Sequence, residues 1–164
     1  MWKCGRLGKN AGQLMTAIIG QYEYTLDPKN RVVVPPSYRN ALIGENGAHF
    51  VLAIGQDDCL RLFLPSQWDR LVSEAKTLTQ EVKDKEKARA ARRHLFGTAV
   101  PAELDEQGRI LVPQNLKEHA RLKKDVVVVG AGSWMDIWSA ERWAKYNKKV
   151  AAPSFAKLSK SLDI

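Results

Sequence analysis

Two short stretches of this chain carry an acid and a base at one spacing. Asp27-Pro28-Lys29-Asn30-Arg31 and Asp105-Glu106-Gln107-Gly108-Arg109 each set a carboxylate four residues before a guanidinium. Each then runs into Val-Pro, at 34–35 and 112–113. An aspartate at the start of a tight turn accepts a hydrogen bond from a backbone N–H two residues on. Pro28 presets an early turn position, and Asn30 and Gly108 are residue types that best tolerate left-handed backbone. Asp27 and Asp105 are therefore expected to fix the turns and Asn30 and Gly108 to close them. Arg31 and Arg109 would leave at the start of the next strand. A guanidinium placed there has two uses. It can pair with the carboxylate and merely hold two hairpins together, or bridge an inward carboxylate and an outward phosphate. Lys29, at a turn apex, is either solvated or against a phosphate.

The other chemistry-bearing residues do not gather. His49, His94 and His119 are scattered, and none has a second ligand type three or four residues on. Cys4 and Cys59 lie far apart with no Cys-x-x-Cys, which argues for a reduced chain without structural zinc. Gly130-Ala131-Gly132 falls short of a phosphate-cradling loop, and a hairpin turn accounts for it. With no nucleophile–base pair and no metal cluster, neither an enzyme nor a cofactor, metal ion or small-molecule substrate is expected. Trp68, Trp134, Trp138 and Trp143 are able to stack on bases. Two of them recur between the copies at helix and strand positions, which points to a core or a protomer interface.

The elements that carry the two turns are themselves copied. Asp27 and Asp105 are 78 positions apart, as are Arg31 and Arg109, Val34 and Val112, and Pro35 and Pro113. Further on the offset falls to 75: Gly55 matches Gly130, Phe63 matches Trp138, and Trp68 matches Trp143. A longer loop around 44–49 in the first copy explains the change. An ordered series with one small gap is a duplication. In each copy a strand (YEYTL, AVPAEL) meets the turn, and a β-branched strand follows (RVVVP, RILVP). A short helix led by proline comes next (PSYRNAL, PQNLKEHA), then a β pair at 50–64 or 125–139. A closing helix is expected to be capped by Ser66 or Ser139. Between the copies, EVKDKEKARAARRHLF reads as a solvated helix ending about Arg93, and residues 150–164 show little periodicity and promise little order. The chain thus divides into a flexible N-terminal extension at 1–17 and a first repeat at 20–66. A helical connector follows at 67–96, then a second repeat at 97–143 and a basic tail at 144–164.

Lys and Arg number 26 against 18 Asp and Glu, a net charge of +8 with a pI near 9.6. That balance favours a polyanionic partner, nucleic acid first and anionic membrane second; a merely soluble basic protein is the plainer account. Residues 1–20 have positive charge but no sustained apolar run, so no secretion signal is read there, and Met15 is a candidate start of the folded part. No apolar stretch approaches the roughly 20 residues of a membrane-spanning helix. A cytoplasmic protein, associated with the nucleoid and not with membrane, is the expectation.

The stretches GQYEYTLDPKNRVVVPPSYR, LDEQGRILVPQNLKEHARLKKDVVVVG and IWSAERWAKY together resemble the MraZ family. These are bacterial transcriptional regulators encoded ahead of cell-division and cell-wall genes. The resemblance covers residues 20 to about 146, with the N-terminal extension and the tail outside it. It implies a mainly β protein with short helices (α+β), built from two tandem swapped-hairpin repeats of the AbrB/SpoVT type that form a pseudo-twofold β-barrel. It further implies assembly into a homo-oligomeric ring that binds short direct repeats in its own promoter, usually to repress it. The DNA-binding face would be the Asp-xxx-Arg hairpins: Lys29, Asn30, Arg31, Arg39, Gly108, Arg109 and Lys117, with Asp27 and Asp105 forming the turns. Asn30 stands where the family usually has glycine, and Lys117 where it usually has arginine. A reading of another class also fits such folds, a ring-forming protein-interaction scaffold or antitoxin-like module.

Overall fold

The structure, a computed structural model, describes residues 17–164. All of the expected N-terminal extension except Ala17 lies outside the described residues. Eight strands are present: β1 (Gln21–Thr25), β2 (Arg31–Val33), β3 (Phe50–Ile54), β4 (Leu60–Phe63), β5 (Val100–Ala102), β6 (Arg109–Leu111), β7 (Asp125–Gly130) and β8 (Met135–Ser139). Six α-helices accompany them: α1 (Pro36–Gly44), α2 (Pro65–Glu81), α3 (Lys85–Thr98), α4 (Gln114–His119), α5 (Ala140–Tyr146) and α6 (Ala152–Leu162).

The two copies interleave. Six strands form one antiparallel sheet in the order β1-β7-β8-β4-β3-β5, and β2 pairs with β6 in a separate ribbon. Exchanging each strand for its copy turns the six-strand order into its own reverse, the mark of a pseudo-twofold. Two contacts lie on that axis. Val32 pairs with Ile110, its own counterpart 78 residues on. Arg61 pairs with Asp136, its counterpart at the offset of 75. The first strand of each copy is hydrogen-bonded to the other copy, β1 to β7 and β5 to β3.

The core follows the same rule. Val32 and Ile110, Val34 and Val112, Tyr38 and Leu116, Leu60 and Met135, and Leu62 and Ile137 are all buried counterparts. Alternation along β4 and β8 sends these side chains to one face, as a half-buried strand requires. Neither half holds this core alone; the two copies share a single one.

Three features bear on what the sequence led one to expect. The α+β class is as expected, with more helical than strand residues among those described. The six-stranded sheet is open among the described residues, with β1 and β5 at its ends not bonded to each other. Finally, the tail is helical. A π-helical turn at Asn147–Ala151 continues α5 into α6. The apolar residues at 151, 155, 158 and 162 recur at helical spacing, a pattern masked by the surrounding lysines and serines.

The connector is likewise a pair of helices. Asp84 ends the break between α2 and α3 by accepting a hydrogen bond from Lys87 N at 3.1 Å, and α3 runs on to Thr98 rather than Arg93. Ser66 is not a cap. Pro65 already occupies the first turn of α2, Gln67 Oε1 accepts the Leu64 N–H at 2.9 Å, and Ser66 bonds Glu45 instead. Ser139 stands at the start of α5 but makes no capping bond through its side chain.

Tyr38 joins α1 to the sheet. Its ring stacks on Phe50, and its hydroxyl donates to Leu62 O at 2.6 Å in a buried setting that pushes the phenol pKa up. Tyr38→Phe leaves the ring in place and deprives that buried carbonyl of its donor. The expected cost is about 1–2 kcal/mol, read as a lower denaturant midpoint at unchanged slope.

Candidate nucleic-acid interface

Each turn is built by its aspartate. Asp27 Oδ1 accepts from Lys29 N at 2.9 Å and Arg31 N at 2.8 Å, and Asp105 Oδ1 accepts from Gln107 N and Arg109 N, both at 2.9 Å. The main chain closes around them, with Asp27 N to Arg31 O and Asp105 N to Arg109 O, each 2.9 Å. Asn30 at φ 61° and Gly108 at φ 74° supply the left-handed residue that such a closure needs. The turn chemistry read from the sequence is therefore present in both copies.

The second carboxylate oxygen is used differently. Asp27 Oδ2 accepts from Arg31 Nε at 2.9 Å, and Asp105 Oδ2 accepts from Arg109 Nε at 2.9 Å. The two turns also reach each other. Arg109 Nη1 donates to Asp27 Oδ2 at 3.2 Å, and Arg31 Nη1 stands 3.9 Å from Asp105 Oδ2. Two carboxylates and two guanidiniums thus form one ring, each side chain between about a fifth and a third exposed. Both uses foreseen for the arginines remain open in this geometry. Nε points inward to carboxylate, while Nη2 of each has no partner among the described residues.

The two helices that follow the turns lock them crosswise. Arg39 on α1 and Lys117 on α4 are counterparts at the offset of 78. Lys117 Nζ donates to Asn30 Oδ1 at 2.9 Å, across 87 residues of chain. Arg39 packs against the opposite turn, so close that a Cβ on Gly108 would stand 2.5 Å from its Nη1. Backbone bonds follow the same exchange: Val34 N to Gly108 O at 2.9 Å and Val112 N to Asn30 O at 2.8 Å. Of the nine residues singled out in the sequence, eight are joined by these contacts, and Lys29 is exposed at the apex of the first turn. Sequence reasoning passed over Glu106 and Gln107, the exposed counterparts of Pro28 and Lys29. The offset that links the turns already paired them.

Other candidates are accounted for elsewhere. Cys59 is buried, its thiol pushed up to about 12, chiefly by desolvation, which leaves no thiolate for chemistry at neutral pH. His49 Nδ1 lies 3.1 Å from Phe50 O and His119 Nε2 lies 3.4 Å from Gly55 O, both backbone contacts. Among the described residues no group of His, Cys, Asp and Glu is arranged to hold a metal ion, and no helix is long and apolar enough to cross a membrane. The tryptophans pack away from the turns. Trp68 and Trp134 flank Phe63, and Trp138 packs with Trp143 and Tyr146.

A family profile described as "MraZ protein, putative antitoxin-like" matches the chain over residues 17–92 and again over 95–163, one stretch per copy. The chain belongs to the MraZ family. A relative from Heliobacterium modesticaldum, named transcriptional regulator MraZ, is 44% identical over 144 residues, covering 88% of this chain and 95% of its own. One of the same name from Thermoanaerobacter pseudethanolicus is 41% identical over 146 residues, 89% of this chain and 96% of the relative. Another so named, from Clostridium beijerinckii, is 45% identical over 130 residues, 79% and 87% of the two chains. The second stretch reaches residue 163, so the tail, placed outside the family pattern on sequence, falls within it.

The backbone N–H of Arg31 is the largest cause holding the Asp27 carboxyl below the usual range, and that of Arg109 does the same for Asp105. A carboxyl depressed in the folded chain adds stability above its unfolded pKa of about 3.9. That stability is lost as the pH falls through the lower folded value. Asp27→Asn with Asp105→Asn should therefore lower the melting temperature at pH 7 and flatten its decline below about pH 4. Thermal melts across pH 2–7, about the range that spans these titrations, read both effects.

Proposed function

We propose that the protein is a sequence-specific DNA-binding transcriptional regulator that presents the two Asp-xxx-Arg turns to promoter DNA. One observation carries this reading: cations from both copies, Arg31, Arg39, Arg109 and Lys117, meet around the two joined turns, with Lys29 exposed at the apex of the first. Arginine and lysine at fixed positions supply both phosphate anchors and forks for guanine edges in the major groove. The names of the relatives support the same reading. In this account the protein acts at the promoter of its own cell-division and cell-wall gene cluster, mainly as a repressor, and is a cytoplasmic, nucleoid-associated protein without catalytic activity.

Assembly belongs to the proposal. The interleaved sheet ends in β1 and β5, two strands with one partner each, and α6 exposes Phe155, Leu158 and Leu162 along one face. Uncovered edges and apolar faces call for a neighbour, and a head-to-tail contact that closes gives a ring. A ring of swapped-hairpin protomers would set several turn faces side by side against short direct repeats. Light scattering at micromolar concentration should show a defined oligomer, and Phe155→Glu with Leu162→Glu should shift it to smaller species. A wild-type monomer would remove the ring.

Binding to one, two and three upstream repeats tests the face itself. A single repeat should bind weakly and several in helical phase much more tightly, through effective concentration. With roughly two or three phosphates neutralised by each of about three or four protomers, the log–log salt slope should fall between about −5 and −11. Arg31→Ala or Arg109→Ala should cost about 1–3 kcal/mol per lost base contact, with the oligomer intact by light scattering. If both variants bind three repeats as the wild type does, the turns are not the DNA site. The protein-interaction scaffold, favoured by the exposed face of α6 and the antitoxin-like description of the family, then takes its place.

A further inference from the structure

The pseudo-twofold that brings the turns together also measures how far they differ. A symmetric pair of turns would offer DNA two identical probes. Here each equivalent position outside the Asp–Arg ring carries different chemistry. The first turn has Pro28, Lys29 and Asn30, and the second has Glu106, Gln107 and Gly108. The helices that reach across carry the same inequality, Lys117 to the first turn and Arg39 to the second.

The charges separate accordingly. Around the first turn Lys29, Arg31 and Lys117 stand against the single carboxylate of Asp27. Around the second, Arg39 and Arg109 stand against two carboxylates, Asp105 and Glu106. A phosphate is therefore drawn to the first turn and not to the second, where Glu106 is exposed at the apex. The donors also differ in kind. Asn30 has its carbonyl oxygen committed to the Lys117 ammonium, which leaves its amide N–H groups as donors without a partner among the described residues. At the second turn the bare backbone of Gly108 lets Arg39 pack against it, and Arg39 Nε is buried without a hydrogen-bond partner. The planar Arg39 fork and the exposed Gln107 amide are side chains that read purine edges bidentately.

We propose that the Asn30–Lys117 and Gly108–Arg39 pairs, with the apex residues beside them, make the interface directional, so that outside the shared Asp–Arg ring the first side anchors phosphate and the second reads bases. This rests on the DNA-binding reading above. The two strands of a duplex are related by twofold axes, so a symmetric protein face selects a palindromic site. A face with unlike halves selects a non-palindromic site in one orientation. Orientation is what a run of direct repeats requires of each protomer.

The test makes the turns alike. Variant P28E/K29Q/N30G/K117R gives the first turn the chemistry of the second, and E106P/Q107K/G108N/R39K does the converse. The full-length wild type and both variants are each used to enrich duplexes from a randomised pool, with thermal melts to select a folded variant. The wild type should enrich an asymmetric site that it binds about tenfold more tightly than a palindromised form of that site. A folded variant should enrich a palindrome and lose that preference. If the folded variant keeps the same asymmetric site and preference, the pairs do not set direction and the inference is overturned. A wild-type site that is already palindromic overturns it too. A wild type that enriches no motif at all removes the DNA-binding reading itself, and the inference with it.

Discussion

Each turn aspartate has two oxygens and uses them for two purposes. Oδ1 holds the backbone of its own turn, through two N–H groups, and Oδ2 holds guanidinium nitrogens. Because the first purpose fixes the carboxylate, the second fixes the arginine, and the cross contact from Arg109 to Asp27 fixes one turn against the other. A guanidinium so held loses less freedom on meeting a ligand than a free one. The cost is charge: two carboxylates cancel two guanidiniums. The ring orients donors at the face and supplies no net attraction.

The same exchange of parts explains why the chain needs both copies. Each turn is closed by its own residues but braced by the helix of the other copy, and the first strand of each copy completes the sheet of the other. At the second axis contact, Arg61 faces Asp136 across 3.6 Å and lies over the Trp134 ring at 4.3 Å. Two identical chains related by a true twofold would put arginine against arginine there, or aspartate against aspartate. Fusing the copies allowed the two positions to become complementary. The same freedom let Asn30 and Gly108 diverge, each with the partner it needs across the axis.

The turns were legible in the sequence because their chemistry is local: acid, left-handed residue and base lie within five positions. The offset of 78 also foretold which residues would be equivalent. What it could not show was that equivalents would meet. Lys117 and Asn30 looked like two separate departures from the family pattern, and only their contact shows that they compensate. An ammonium finds an acceptor in the Asn30 amide, where a glycine would have offered it none. Helices were under-read for a different reason. The apolar stripe of α6 is narrow and set among serines and lysines, and Ser66 resembled a cap until Pro65 was seen to occupy the first turn.

A neutral ring also decides where the positive charge of the chain must lie. Beyond the turn face, Arg89, Arg92 and Arg93 on α3 and Lys148, Lys149, Lys157 and Lys160 near the tail have no ion pair among the described residues. Of these, Arg92 leans on the Phe96 ring at 5.7 Å, and the others project from helices that form no part of the turns. In the DNA-binding reading proposed above, general attraction to a polyanion would come largely from groups spread over the helical surface, and discrimination from side chains locked into the ribbon. The two respond differently to salt. Screening over about 8 Å at physiological ionic strength weakens the dispersed cations first and leaves the geometry of the half-buried ring untouched.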